Sequence, residues 1–221
     1  MNRSYYSDST AAFLSKSPEE VIGGLTQNAG DVAKTQSNAW REQIVILRDV
    51  LQGREGHVFF EYSIPRMGRR IDVVLIIGAV IFVLEFKAGD DTYQAYAMDQ
   101  VWDYALDLKN FHESSHQEYI APVLIATKAE YTNPVIAATP QNDKLLFPVQ
   151  SNVETLGSVL DNVLVFTDGA EIEASHWESG RYCPTPTIIE AAMALYNNHS
   201  VADISRSDAS AINLSQTSNA L

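Results

Sequence analysis

Cysteine is nearly missing. The single copy among 221 residues, Cys183, has no second thiol with which to close an internal disulfide, and this fits a reducing, cytoplasmic setting. Long apolar runs are missing too. The longest, Val73 to Leu84, is twelve residues closed by Asp72 and Glu85, whereas a membrane span takes roughly 18–20. It reads as core, and no membrane association is expected. The first residues, Met1 to Leu14, carry no basic start followed by an apolar stretch, so no secretory signal is expected. Basic residues are few: 15 Lys and Arg stand against 28 Asp and Glu, a formal net charge of −13. That balance argues against a surface gripping nucleic acid or an anionic membrane over its whole area. There is no internal repeat, no run of like charge and no Gly-x-x-x-x-Gly-Lys-Ser/Thr phosphate loop, which excludes a P-loop ATPase within these residues.

What is present suffices for one sizeable core. The chain is 46% hydrophobic and 10% aromatic, and residues 1–198 read as one domain. From His199 to Leu221 the chain is rich in Ser, Asn, Asp and Ala, and reads as a tail or linker. Ser17-Pro18-Glu19-Glu20 opens a helix with capping-box spacing. Trp40, Ile44, Leu47 and Leu51 share one face of a second helix over Asn38 to Gln52. Strands follow at Val58 to Ile64, Ile71 to Ile77 and Val80 to Phe86, then a helix at Met98 to Phe111 and a strand at Pro122 to Ala126. A helix near Val153 to Leu160, a strand at Val163 to Thr167 and a helix from Thr187 to about Asn197 complete an α/β fold with a mixed central sheet flanked by helices.

The register of the central hairpin carries the most information. A two-residue Gly78-Ala79 turn sets Ile77 opposite Val80 and, counting outward, Asp72 opposite Glu85. Facing residues have Cβ atoms roughly 4.5–5.5 Å apart, and like charges there destabilise a sheet. A cation, a raised pKa or a basic partner must offset the repulsion. Glu85 and Lys87 share a face by alternation while Phe86 points into the core, so Asp72, Glu85 and Lys87 converge. Two hard oxygen donors so placed suit Mg²⁺, which keeps waters and leaves sites for phosphate oxygens. A lysine beside it orients water or neutralises developing charge. The competing account is a salt-bridged strand end in which Lys87, Arg69 and Arg70 neutralise the two acids.

These residues resemble the PD-(D/E)XK nuclease superfamily, whose core is a helix, three strands, a helix and a strand (αβββαβ, restriction-endonuclease-like). Asp72, in Gly68-Arg69-Arg70-Ile71-Asp72, opens the motif; no proline directly precedes it. Glu85-Phe86-Lys87 supplies Glu-x-Lys, and Gln100-Val101-Trp102-Asp103-Tyr104 matches the Gln-x-x-x-Tyr helix of the RecB-type branch. Phe60 to Gly68, Asp103 to His112 and Thr187 to Ala192 also resemble the N-terminal nuclease-like region of bacterial proteins in which a Schlafen-type P-loop DNA/RNA helicase module follows. The resemblance implies metal-dependent hydrolysis of nucleic-acid phosphodiesters, DNA ahead of RNA. In this reading Mg²⁺ or Mn²⁺ is held by Asp72, Glu85 and the Phe86 carbonyl, Lys87 is catalytic, and Gln100 and Tyr104 orient phosphate or water. It also offers Glu42 of the early helix as a further ligand, although a helical wheel turns Glu42 away from the Trp40/Leu47 stripe. The implied partner is a helicase module, attached or separate, and a homodimer is left open. The alternative is a nuclease-fold module that binds nucleic acid or regulates the helicase with little cleavage.

Charge resolved along the chain is compatible with a phosphodiester substrate. Arg54 to Lys87 nets +1, leaving −14 for the remainder, and Arg66, Arg69 and Arg70 form a basic cluster that reads equally as a phosphate-contacting patch or a solvated turn. Trp102, Tyr104 and Phe111 at helical spacing read as core ahead of a base-stacking platform. His112-Glu113-Ser114-Ser115-His116 matches the zinc-peptidase pattern His-Glu-x-x-His, with Glu130 or Glu154 as a third ligand. Its position at a helix end reads better as solvated histidines complementing the helix dipole. Cys183 reads as structural or surface.

Overall fold

A computed structural model of the chain describes residues 3–29, 33–65, 67–131 and 133–182, without side chains for residues 33–35. Arg66, Cys183, the helix expected from Thr187 and the polar tail lie outside these residues. Strand β1 (Tyr6–Ser9) and helix α1 (Thr10–Ser15) lead into α2 (Pro18–Ala29) and α3 (Ala33–Val50). Strands β2 (His57–Ile64), β3 (Arg69–Ile77) and β4 (Val80–Lys87) follow, then α4 (Ala95–Phe111), β5 (Tyr119–Ala126), β6 (Val149–Ser151), α5 (Leu156–Phe166) and α6 (Ala174–Ser179). The stretch from α3 to β5 runs helix, three strands, helix, strand. The six strands form one sheet in the order β1-β2-β3-β4-β5-β6. Pairings from β1 to β4 are antiparallel and those of β4 with β5 and β5 with β6 are parallel.

Local chemistry explains the elements. Ser17 and Glu20 close a reciprocal capping box at the start of α2: Ser17 N–H donates to Glu20 Oε2 at 2.7 Å and Glu20 N–H to Ser17 Oγ at 3.3 Å. Strands β3 and β4 are apolar on both sides because helices cover both faces of the sheet. Phe60, Val73, Phe82 and Leu84 pack with α2, α3 and α5 on one face. Phe59, Val74, Ile81 and Val83 pack with α4 and α6 on the other. Among the described residues no helix is long and apolar enough to cross a membrane.

The strand expected at Val163 to Thr167 is instead the second half of α5. Its β-branched run misleads, because burial follows i, i+3, i+4, i+7 at Leu156, Val159, Leu160 and Val163, while Val165 is 87% exposed. Strand β6 was not foreseen; it is three residues long and directly follows Pro148.

Candidate functional site

The site grows out of the β3–β4 hairpin. Gly78 adopts φ +56°, the left-handed value that the first corner of a type II′ turn demands, and this sets Ile77 against Val80. The ladder runs to Val73 against Leu84. One step further the same count would set Asp72 opposite Glu85, and the Glu85 charge does act on Asp72. There the backbone pairing gives way, and Phe86 N–H donates to Asp72 Oδ2 at 2.8 Å. A strand residue's N–H and C=O leave the same edge, so the Phe86 carbonyl is directed towards β3 as well.

Helix α4 closes the site from the face that Glu85 and Lys87 share. Glu85 is 3% exposed. Its Oε1 accepts from Lys87 Nζ at 2.8 Å and from Gln100 Nε2 at 2.8 Å. Gln100 Oε1 accepts from Lys87 at 3.0 Å, and Gln100 Nε2 reaches Tyr104 Oη at 2.8 Å. Gln100 and Tyr104 lie one turn apart on α4, which puts both on one side of the helix. Glu85 Oε2 is buried with no hydrogen-bond partner among the described residues, so that oxygen loses water without a hydrogen bond in return.

Electrostatics fixes who carries the protons. Burial, reinforced by Glu85, pushes Asp72 well above the usual carboxylate range against the pull of the Phe86 N–H and Lys87. Burial also raises Glu85, and the adjacent ammonium does not fully reverse it. For Lys87 burial disfavours charge, but the Glu85 and Asp72 carboxylates outweigh it and hold its pKa above the ordinary lysine value. Lys87 is therefore held as an ammonium at neutral pH, able to neutralise negative charge or donate a hydrogen bond. Tyr104 is pushed up to about 12 by burial and by Glu85, so its hydroxyl stays protonated.

A third acid joins the row. Glu61 is the β2 residue whose place in the register falls opposite Asp72, between the pairs Phe60 with Val73 and Tyr62 with Ile71. It is 6% exposed with φ +54°, uncommon for a non-glycine residue inside a strand. Side-chain alternation slips here. Phe60 and Val73 face the α3 side, yet Tyr62 and Ile71 both face α4 and α6. Trp40 Nε1–H donates to Glu61 Oε1 at 2.8 Å, while burial raises the Glu61 pKa and its charge in turn raises Asp72 and Glu85. The available signal was an acid interrupting the doubly apolar run Val58 to Ile64.

The other candidates divide. Glu42 is exposed on α3, two residues and about 200° around the helix from Trp40, and α3 reaches the acidic row through Trp40. Arg70 is engaged elsewhere, donating to the carbonyls of Glu61 at 2.5 Å and Arg3 at 3.4 Å and stacking 3.9 Å over the Tyr5 ring. Arg69 is exposed at the start of β3, and its charge acts on Tyr104. The salt-bridged strand end is thus realised only at Lys87. Tyr104 and Phe111 are core, whereas Trp102 is partly exposed and stacks on Phe147 at 6.3 Å.

The His-Glu-x-x-His segment does not form a helical pair of histidines. Helix α4 ends at Phe111, and Glu113–Ser115 form a single 3₁₀ turn. His112 is fully buried, not solvated as expected, with Nδ1 2.7 Å from Ser115 Oγ, Nε2 3.4 Å from Tyr62 Oη and the Trp177 ring at 4.8 Å. Glu113 pairs instead with Arg181 at 2.9 Å. Burial pushes the His112 pKa down to about 3 from 6.5. Below pH 6.5 the unfolded chain takes up a proton that the native state refuses, so the stability present above 6.5 is lost as pH falls towards 3. In urea titrations His112→Gln, uncharged throughout, should lose roughly 2–3 kcal/mol less than wild type between pH 6.5 and 4.5. An unchanged slope would contradict a buried neutral His112.

Scans of the chain against family models, curated proteins and solved structures return no match. Among the described residues no group of three or more His, Cys, Asp or Glu side chains is placed to hold a metal. The Asp72/Glu85 pair is a donor set of the smaller kind: two carboxylates, one with an orphan oxygen, and a neighbouring backbone carbonyl. That set fits Mg²⁺ or Mn²⁺, hard cations that keep several waters and accept phosphate oxygens beside one or two carboxylates. It does not suit zinc, which prefers nitrogen and sulfur donors.

Proposed function

We propose that this site hydrolyses phosphodiester bonds in nucleic acid, DNA ahead of RNA, with Mg²⁺ or Mn²⁺, on a restriction-endonuclease-like core of the PD-(D/E)XK type. One observation carries the reading. Asp72, Glu85, Lys87, Gln100 and Tyr104, named together by one sequence resemblance, come from three elements into one cluster containing a buried carboxylate oxygen with no hydrogen-bond partner among the described residues. Asp72, Glu85 and the Phe86 carbonyl would hold the ion. When bound, it supplies a positive charge for the phosphate and a water of lowered pKa.

The chain's own groups do the positioning. Gln100 fixes both Lys87 and Glu85, and Tyr104 fixes Gln100, so the ammonium keeps one orientation without reorganising. Lys87 then neutralises charge developing on the phosphate. Arg69, exposed beside the site, is the phosphate contact on the β3 side, and Arg70 braces β2 and Tyr5. A second reading is a nucleic-acid-binding or regulatory module for a helicase with little cleavage. Single-stranded DNA, duplex DNA and RNA incubated with Mg²⁺, Mn²⁺ or EDTA separate the two. Cleavage dependent on divalent metal is expected. Wild type as inert as Lys87→Ala on all three substrates would leave the binding reading.

A further inference from the structure

Residues 96, 100 and 104 form one stripe on α4, spaced i, i+4, i+8. Tyr104 is buried at its foot and Gln100 is partly buried in the middle. Tyr96 stands at the rim, 62% exposed, with its ring centroid 5.7 Å from Lys87 Nζ. Lys87 is already held by Glu85 and Gln100, so the ring is not needed to position it. A cation–π contact made by a ring that is itself mostly exposed adds little, whereas stacking one nucleobase on an aromatic side chain strengthens binding by about 5- to 100-fold.

We propose that Tyr96 is a positioning residue that stacks on the base adjoining the phosphate bound at Lys87, and that it makes the site select an unpaired nucleotide. The ligand class rests on the phosphodiester reading above. Inside a duplex both faces of a base are covered by its neighbours. Only a single strand, a frayed end or a flipped base can offer a free face to a ring fixed beside the phosphate. Selectivity then follows from where the ring stands, without hydrogen bonds to base edges.

Affinity is measured by fluorescence anisotropy in Ca²⁺ and in EDTA, using fluorescein-labelled single-stranded DNA, its RNA counterpart and a blunt duplex. Tyr96→Ala should weaken single-strand binding by about 5- to 100-fold and leave duplex affinity unchanged. Tyr96→Phe and Tyr96→Trp should bind like wild type, and Tyr96→Leu like Tyr96→Ala. A fluorescent adenine analogue in the single strand should be quenched by wild type and not by Tyr96→Ala. The proposal is overturned if Tyr96→Ala binds all probes like wild type, if single-strand and duplex affinities fall together, or if Tyr96→Leu binds as well as Tyr96→Trp. Binding is read without turnover, so a wild type that binds selectively but never cleaves refutes the hydrolytic reading and not this one.

Discussion

Asp72→Asn should melt at a higher temperature than wild type without metal and cleave at least roughly a hundred- to thousandfold more slowly with it. The stability gain follows from the position of the residue. Asp72 stands one step beyond the Val73–Leu84 pair of the hairpin, where burial and the Glu85 charge raise its pKa above 3.8. In the unfolded chain the acid ionises near that value. As pH rises from there, the native state must either keep a proton that the unfolded state releases or hold a charge it solvates poorly. The cost therefore grows between 3.8 and the raised pKa and stays in full above it. Asparagine removes the cost and still accepts the Phe86 N–H through Oδ1. A gain of roughly 1–3 kcal/mol at pH 7 is expected, absent near pH 3.5, as measured by chemical denaturation in EDTA. Were Asp72 a partner in a well-neutralised salt bridge, the substitution would destabilise instead. Added Mn²⁺ should raise the wild-type midpoint and leave that of Asp72→Asn nearly unmoved.

Lys87→Ala should abolish cleavage with the opposite effect on stability. The lysine side chain is only 19% exposed and the Glu85 side chain 4%, so removing the ammonium strands the buried Glu85 and the half-buried Asp72 beside a third acid, Glu61. Breaking a buried pair from one side costs about 3 kcal/mol. The folded-state pKa of Lys87 is raised, so its contribution is complete below the ordinary lysine value near 10.5 and is lost only as pH climbs through the raised one. At pH 7 the whole contribution is therefore at stake. Because Asp72, Glu85 and Glu61 take up protons on acidification, the deficit of Lys87→Ala should shrink as pH falls towards 4. Urea titrations at two pH values check this. A neutral or stabilising effect at pH 7 would mean that Lys87 does not compensate the acids. Asp72→Asn and Lys87→Ala thus lose the same activity while moving stability in opposite directions, which separates a damaged site from a damaged fold.

Local chemistry made the centre of the site legible. A two-residue turn beginning with glycine has one register, so Asp72 and Glu85 could be paired by counting, and a helical repeat put Gln100 and Tyr104 on one side of α4. Glu61 escaped because the Pro65 to Gly68 connection leaves the β2–β3 register open, and because alternation slips at the very pair in question. No periodicity announces such a slip. The misread strand at Val163 to Thr167 shows tertiary burial overriding β-propensity: α5 buries Val163 and leaves Val165 in solvent. His112 was misjudged for a similar reason, since the groups that bury it, Tyr62 and Trp177, are distant in sequence.

The most direct test is the rate of cleavage of labelled single-stranded DNA by wild type and Asp72→Asn, side by side, as Mg²⁺ or Mn²⁺ is titrated from zero, with folding of both confirmed by thermal melts. The expected result is wild-type cleavage that rises from nothing and saturates with metal, and an Asp72→Asn protein that is folded, at least as stable, and inactive throughout. Cleavage by wild type that persists in EDTA, or equal rates for the two proteins at every metal concentration, would contradict a metal-dependent phosphodiesterase centred on Asp72 and Glu85.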